Sequence, residues 1–181
     1  MITLIHGGQT GVDRGAHDAA IAAGWKIAGY MPRDRRDELG PIPEEVARYL
    51  IPHTEASYTS RTRANVLWCS ALLVIVVDRD DPRATPGTAK TLEYAEEFRR
   101  PYRVVDGRTP EETVARWIWE DLIQTSRTTL PLALDSQSAP TPPTVRLMVA
   151  GPRESRWHGA CDAAVEILRR TSQALATIDP A

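Results

Sequence analysis

Lysine is nearly absent from this chain: Lys26 and Lys90 are the only two among 22 lysine and arginine residues. Positive charge is carried almost wholly by arginine, whose planar fork of donors suits phosphate and carboxylate. Codon bias accounts for most such positions, so the fork informs only beside a candidate anion site. A basic surplus is missing as well. With 24 acidic residues the net charge is −2, which argues against a nucleic-acid binder held by phosphate neutralisation. Cysteine is scarce: Cys69 and Cys161, both on predicted helices with apolar neighbours, read as small buried hydrophobes of a reducing compartment. There is no CxxC pair and no Cys/His cluster, and His6, His17, His53 and His158 lack ligand spacing, so no metal site is expected. Long apolar runs are missing too. The longest, residues 71–77, falls far short of the roughly 20 residues that cross a bilayer. No basic stretch precedes an apolar segment at the start, so no signal peptide is read, and the expectation is a soluble cytoplasmic protein without membrane or nucleic-acid partners.

What is present is organised around residues 4–18, LIHGGQTGVDRGAHD. An apolar segment runs into Gly7-Gly8 and a helical pattern follows at once, so the stretch reads as strand, glycine turn, helix. Glycines let a ligand approach the backbone, and the first helical turn offers unpaired N–H groups at the positive end of the dipole. The spacing, GGxxG with no following lysine, is neither the Walker A nor the GxGxxG pattern. Thr10 reads as an N-cap with Asp13 three residues on, an approximate capping box, and Ala16, Ala19, Ala20 and Ala23 form the apolar face beyond. Asp13 can cap or touch a ligand, and Arg14 can be solvated or touch a ligand; the residues alone leave both open.

Downstream, residues 26–29 form a short second strand, and residues 31–54 make a long polar, proline-bearing passage with at most a short helix around 44–49. A passage this long inside a compact domain is usually functional or mobile; its Arg33, Arg35 and Arg36 either form a solvated run or reach over a phosphate. Residues 58–70 read as a helix with Thr62, Val66 and Cys69 inward. Arg61 and Asn65, four apart, share one face of it. The β-branched run at 71–77 marks a strand buried on both faces in the middle of a parallel sheet. Thr85-Pro86-Gly87-Thr88 opens a second strand-to-helix turn, with Ala89, Leu92, Ala95 and Phe98 on the inner side of the helix. A strand at 102–105 leads to Thr109-Pro110-Glu111-Glu112, a capping box with Pro at N1, and a helix with Val114, Trp117, Ile118 and Leu122 inward. Residues 125–144, rich in Ser, Thr and Pro, read as a linker. A last strand at 145–149 enters the third glycine turn, Ala150-Gly151-Pro152-Arg153-Glu154-Ser155, and a final helix with Trp157, Cys161, Ala164, Val165 and Leu168 inward.

Strands alternating with helices predict an α/β fold, a Rossmann-like parallel sheet with helices on both faces, in one domain. Ligands of such sheets bind beyond the carboxyl ends of the strands, near the switch in strand order. All three glycine turns follow strands and are therefore expected at that one edge.

With GGQTGVDRGAHDAA at 7–20, SYTSRTRANV at 57–66, TPGTAKTLEYA at 85–95 and VAGPRES at 149–155, the chain resembles the putative molybdenum carrier family. That family is a circularly permuted, YpsA-like branch of the Rossmann-like SLOG superfamily, which also holds the lysine-decarboxylase-like phosphoribohydrolases. The resemblance implies that the last strand comes first in unpermuted relatives, with the proline-rich linker as the new join. It also implies a pocket for a nucleotide-like or phosphorylated pterin ligand, the molybdenum cofactor among them. The implied residues are Gly7, Gly8, Thr10, Gly11 and Asp13 from the first turn, Arg61 and Asn65 from the helix, Gly87 and Thr88 from the second turn, and Gly151, Arg153, Glu154 and Ser155 from the last; Gln9, Arg14 and Pro152, in the same turns, complete the set of candidate ligand-binding residues. One departure stands out. The phosphoribohydrolases carry PGGxGTxxE with a catalytic Glu; here Pro86-Gly87-Thr88 is followed by Thr91, and Glu93 lies about 200° further round the helix.

Three functions follow as expectations. The first is a carrier or sensor that binds a phosphorylated small molecule. The second is a nucleotide hydrolase with Asp13 or Glu154 as general base. The third is a scaffold with a vestigial pocket. Exposed faces bearing Trp119 or Trp157 would suit a homodimer.

Overall fold

The computed structural model describes residues 1–125 and 144–178. Five strands, β1 (Ile2–Ile5), β2 (Lys26–Ala28), β5 (Ala71–Ile75), β6 (Tyr102–Val105) and β7 (Val145–Ala150), make one all-parallel sheet in the order β2-β1-β7-β5-β6. Strand β7, last in the chain, sits in the centre between β1 and β5. Its neighbour β5, read in the sequence as the middle of the sheet, is the fourth of the five strands and is buried on both faces. Every residue is buried, with Ala71, Leu73 and Ile75 in one core layer and Leu72 and Val74 in the other. A strand apolar on both faces is stable only with helices on both sides.

One layer is made by α1 (Val12–Ala22), α5 (Glu111–Arg116) with its wide-turn continuation Trp117–Gln124, and α6 (Ala160–Ile178). The other is made by α3 (Tyr58–Trp68) and α4 (Pro86–Glu97). Val114, Trp117, Ile118 and Leu122 are buried, as their spacing predicts. Helices α1 and α6 meet at small residues, and a Cβ built on Gly15 would lie 2.2 Å from the Cys161 carbonyl oxygen. The linker read at residues 125–144 falls, but for its two end residues, outside the described part of the chain.

The passage at 31–54 has more structure than its composition suggests. A two-stranded parallel ribbon of β3 (Tyr30–Met31) and β4 (Ile51–Pro52) flanks the short helix α2 (Glu44–Ala47). Met31, Ile42, Val46, Ala47 and Leu50 close into a small core of their own. This insert packs on the first glycine turn: a Cβ on Gly8, at φ +76°, would stand 2.9 Å from Leu50 Cδ1.

Two predicted caps are made differently. Gly11, at φ +67°, is the N-cap of α1 and no side chain caps that helix; the Thr10 hydroxyl is drawn instead to Glu38 of the insert. Likewise Pro110, and not Thr109, is the N-cap of α5. The Thr109 hydroxyl donates to Asp106 at 3.1 Å. Burial pushes the Asp106 carboxyl up, but the Arg108 side chain, the amides of Arg79 and Arg108 and the Thr109 hydroxyl outweigh it and hold it at about 2. A carboxylate so placed competes successfully for the hydroxyl a helix start would otherwise use.

The contact at Gly15 is with backbone, which cannot swing aside. Gly15→Ala is therefore expected to lower stability by about 2 kcal/mol, even though alanine favours an isolated helix by about 1 kcal/mol. Urea unfolding measures this, and an unchanged or raised midpoint would contradict the packing described.

Candidate functional site

The strand order has its switch between β7 and β5, neighbours whose following helices, α6 and α4, pack on opposite faces of the sheet. A cavity of about 140 Å³ opens there. Met148, Ala150 and Gly151, from the end of β7, line it together with Gln9 and Asp13 of the first turn. Tyr58, Arg61 and Thr62 enter from α3, Thr85, Pro86, Gly87 and Thr91 from the start of α4, and Pro152, Arg153 and Arg156 from the last turn. All three strand-to-helix turns thus contribute to one space.

Asp13 is the node of the first turn. Its Oδ2 accepts from the Gly7 amide at 3.0 Å and the Gln9 amide at 3.1 Å, and lies 3.7 Å from Arg61 Nη1. So the carboxylate caps its own loop and holds a buried guanidinium. Burial pulls Arg61 below its ordinary pKa and Asp13 opposes this. Gly7 is needed because Arg61 lies flat against it, with Nη1 1.7 Å from where a Cβ would stand.

A second node is Glu38, which sequence reasoning missed. It accepts from the hydroxyls of Thr10 and Ser155 and from the Ser155 amide at 3.1 Å, with Arg153 Nη1 at 3.8 Å. Burial pushes its carboxyl up, but the Ser155 and Thr10 hydroxyls, the Ser155 amide and Arg153 together hold it below the usual glutamate range. Beside it, Arg14 pairs with Asp37 at 3.2 Å. The insert therefore meets the lining through Glu38, by way of Arg153, while Arg33, Arg35 and Arg36 are exposed and do not line the cavity.

Of the residues singled out in the sequence, Gln9, Asp13, Arg61, Gly87, Gly151, Pro152 and Arg153 line the cavity. The others stand behind it. Gly8 is covered by the insert, and Gly11 meets the last turn, where its Cβ would be 2.6 Å from Pro152 O and Glu154 N. Asn65 uses both ends of its amide on Tyr30, accepting from its N–H at 2.7 Å and donating to its carbonyl at 3.0 Å. Thr88 bonds Thr85, hydroxyl to hydroxyl, at 2.8 Å. Glu154 serves α6, taking the amides of Gly159 and Cys161, and Ser155 serves Glu38.

The additional lining residues carry a signal in their spacing. Tyr58 precedes Arg61 by three, Thr91 follows Gly87 by four and Arg156 follows Arg153 by three, so each pair shares a helical or near-helical face. Thr91 donates to the Gly87 carbonyl at 3.0 Å. No cysteine or histidine lines the cavity, and burial pushes the Cys69 thiol up to about 12. No group of three or more His, Cys, Asp or Glu that could hold a metal lies together among the described residues, and none of their helices is long and apolar enough to cross a membrane.

Beneath the first turn the Gly8 amide donates to His6 Nδ1 at 3.1 Å, which places the His6 proton on Nε2, 3.2 Å from His17 Nδ1. His17 in turn packs edge-on against Tyr49 of the insert.

The architecture is that of a Rossmann-like α/β domain, with a cavity at the topological switch and all three glycine turns around it. Comparison gives the lineage: the model of the circularly permutated YpsA SLOG family matches residues 4–172, and the chain belongs to that family. It is similar to the crystal structure of a putative molybdenum carrier protein from Syntrophus aciditrophicus, at 27% identity over 93% of both chains and a TM-score of 0.71. No curated protein matches.

The buried groups make two effects on stability measurable. Burial lowers the pKa of His6 well below 6.5, with His17, Arg61 and Arg14 adding to it, and burial lowers that of His17 as well. Between those folded values and 6.5 the unfolded chain binds protons that the folded one refuses. Stability is thus full above the ordinary histidine range and falls as pH drops through it, by up to about 1.4 kcal/mol per pH unit for each ring. The urea midpoint is expected to fall between about pH 8 and pH 5.5, and less steeply in a His6→Asn/His17→Asn double variant; equal slopes would remove the histidines from the account. Asp13→Asn, which leaves Arg61 uncompensated, is expected to cost about 3 to 5 kcal/mol, again read by urea unfolding; a loss under 1 kcal/mol would contradict its place at the node.

Proposed function

We propose that this protein is a carrier or sensor that binds a phosphorylated small molecule, nucleotide-like or molybdopterin-type, at the cavity between its three glycine turns. One observation carries the reading: an uncapped helix start shares the lining of the cavity with arginine. Helix α4 begins at Pro86, its N-cap Thr85 makes no capping hydrogen bond, and nothing lies within 4 Å of the space a Gly87 Cβ would occupy. Arg153 and Arg156 lie on the same lining, and Arg153 sits over the Tyr58 ring, 5.3 Å from its centroid.

Magnitudes favour a shared site. A helix start offers an anion roughly 0.3 to 2 kcal/mol, and a hydrogen bond to a charged group about 1.5 to 3 kcal/mol. Micromolar affinity needs about 8 kcal/mol, so the turn and both arginines are needed together, with further contacts from the rest of the ligand. Binding is favoured over hydrolysis because the two candidate bases are engaged: Glu154 on the amides of α6, Asp13 on two amides and Arg61. Thr91, where the phosphoribohydrolases have Glu, brings no acid–base group to the cavity. A metal-bearing ligand would be held through its anionic and polar groups, since no thiol or imidazole lines the space. The name of the Syntrophus protein, a putative molybdenum carrier, agrees with such cargo, and two free cysteines fit a reducing cytoplasm.

Calorimetry with a panel of nucleoside monophosphates and a pterin monophosphate tests the proposal. At least one compound is expected to bind, and Arg153→Ala to weaken it tenfold or more. Absence of binding across the panel, or full affinity in the variant, would overturn it.

A further inference from the structure

The lining holds one group for which the folded chain provides no partner. Gln9, 7% exposed, is one of the residues that line the cavity, and its buried side-chain Nε2 and Oε1 make no hydrogen bond, so that a turn of the carboxamide is all that is needed to present both to the space. Its backbone N–H is already committed to Asp13. Beside it, the buried Nε of Arg61 also lacks an acceptor. A buried donor or acceptor left unmade costs about 1 to 3 kcal/mol, and native proteins rarely keep one without cause. Here a donor and an acceptor on one carboxamide are kept together, on the wall of a cavity.

We propose that Gln9 reads the hydrogen-bonding edge of a planar heterocycle: a ring N–H beside a carbonyl, or a ring nitrogen beside an exocyclic amine. This rests on the reading of the cavity as a site for a phosphorylated small molecule and names the rest of that molecule. A phosphate oxygen accepts only. It could satisfy Nε2 but would leave Oε1 without a donor, so the anionic group alone does not account for Gln9. A carboxamide and a heterocyclic edge of that kind exchange two hydrogen bonds in one plane, as Asn and Gln do with adenine.

Size and burial agree with this division of the ligand. The cavity of about 140 Å³ exceeds the roughly 30 Å³ share of one water, but is smaller than the roughly 300 Å³ or more that encloses a whole drug-sized ligand. One part of the ligand enters and the remainder stays outside. Gln9, Asp13, Arg61 and Thr91 are the buried polar residues of the lining, and of these Gln9 meets the part that enters; Gly87 and Arg156 are exposed and Arg153 partly so, and they meet the charged part at the mouth. Met148 and Ala150 give the entering ring an apolar floor.

The test is calorimetry on the full chain with ribose 5-phosphate, AMP, GMP, CMP, UMP and a pterin monophosphate, comparing wild type, Gln9→Met and Arg153→Ala. At least one heterocyclic phosphate is expected to bind tenfold or more tightly than ribose 5-phosphate. Gln9→Met is expected to abolish that advantage while leaving the ribose 5-phosphate affinity unchanged, and to unfold at the same or a higher urea concentration because two orphaned polar atoms are gone. Whether a nucleotide or the pterin shows the advantage tells which source supplies the edge. Undiminished affinity in Gln9→Met, or ribose 5-phosphate binding as tightly as every heterocyclic compound, would overturn the role of Gln9 and leave the anion site standing. Absence of binding by every compound would overturn both.

Discussion

The site depends on backbone packed against backbone where the two ends of the chain meet. The Val12 amide donates to the Pro152 carbonyl at 3.1 Å, and Gly11 leaves no room for a Cβ against Pro152 and Glu154. On the far side of the last turn, a Cβ on Gly151 would stand 2.3 Å from the Ile75 carbonyl oxygen. Three consecutive layers, the first turn, the last turn and the end of β5, are thereby stacked at main-chain distance. Only glycine permits an approach that close, and the approach brings Gln9, Arg153 and Gly87 around one space. Glycine at these positions is a packing requirement first; the shape of the cavity follows from it.

Charge finishes what the glycines begin. Asp13 and Glu38 each gather several donors from separate parts of the chain, Asp13 from the first turn and α3, Glu38 from the first turn, the last turn and Arg153. Neither is a spectator on the surface: the Asp13 side chain is 10% exposed and that of Glu38 is 12%. Several hydrogen bonds to one desolvated carboxylate offset the cost of removing it from water. The same acids neutralise part of the arginine charge, Asp13 that of the buried Arg61 and Glu38 that of the half-exposed Arg153.

The framework is readable in the sequence because it rests on periodicity. The strand within the apolar run at 71–77, which ends at Ile75 and leaves Val77 exposed, the buried positions of α5 and the three strand-to-helix turns follow from residue spacing that tertiary context reinforces. What spacing does not supply is the destination of short polar side chains. Thr10 and Thr109 have the look of helix caps, yet each is claimed by a carboxylate, Glu38 or Asp106, distant or local, that the pattern does not rank. Asn65 shares a face with Arg61 as its spacing requires, and still ends on the backbone of Tyr30, because the insert arrives on that side of α3. Glu38 itself is hidden in a passage whose composition reads as loop, although Ile42, Val46 and Leu50 carry enough apolar surface to fold it against Gly8.

Strand order explains how a rearranged chain retains this cavity. If β7 is counted first, the order β2-β1-β7-β5-β6 becomes 3-2-1-4-5, the doubly wound arrangement with its switch between strands 1 and 4. Helix α6 follows β7 and ends beside the start of β1, where Leu175 and Ala176 share a groove with Met1 and Ile2. A direct connection from α6 to β1 is therefore geometrically short, and its absence from the covalent chain alters nothing at the opposite edge of the sheet. The turns at 7–11 and 151–155 lie some 140 residues apart in sequence but on adjacent strands, held by hydrogen bonds and close packing that do not require the chain to run between them. Permutation moves the join to the edge where strands begin. The cavity belongs to the edge where they end.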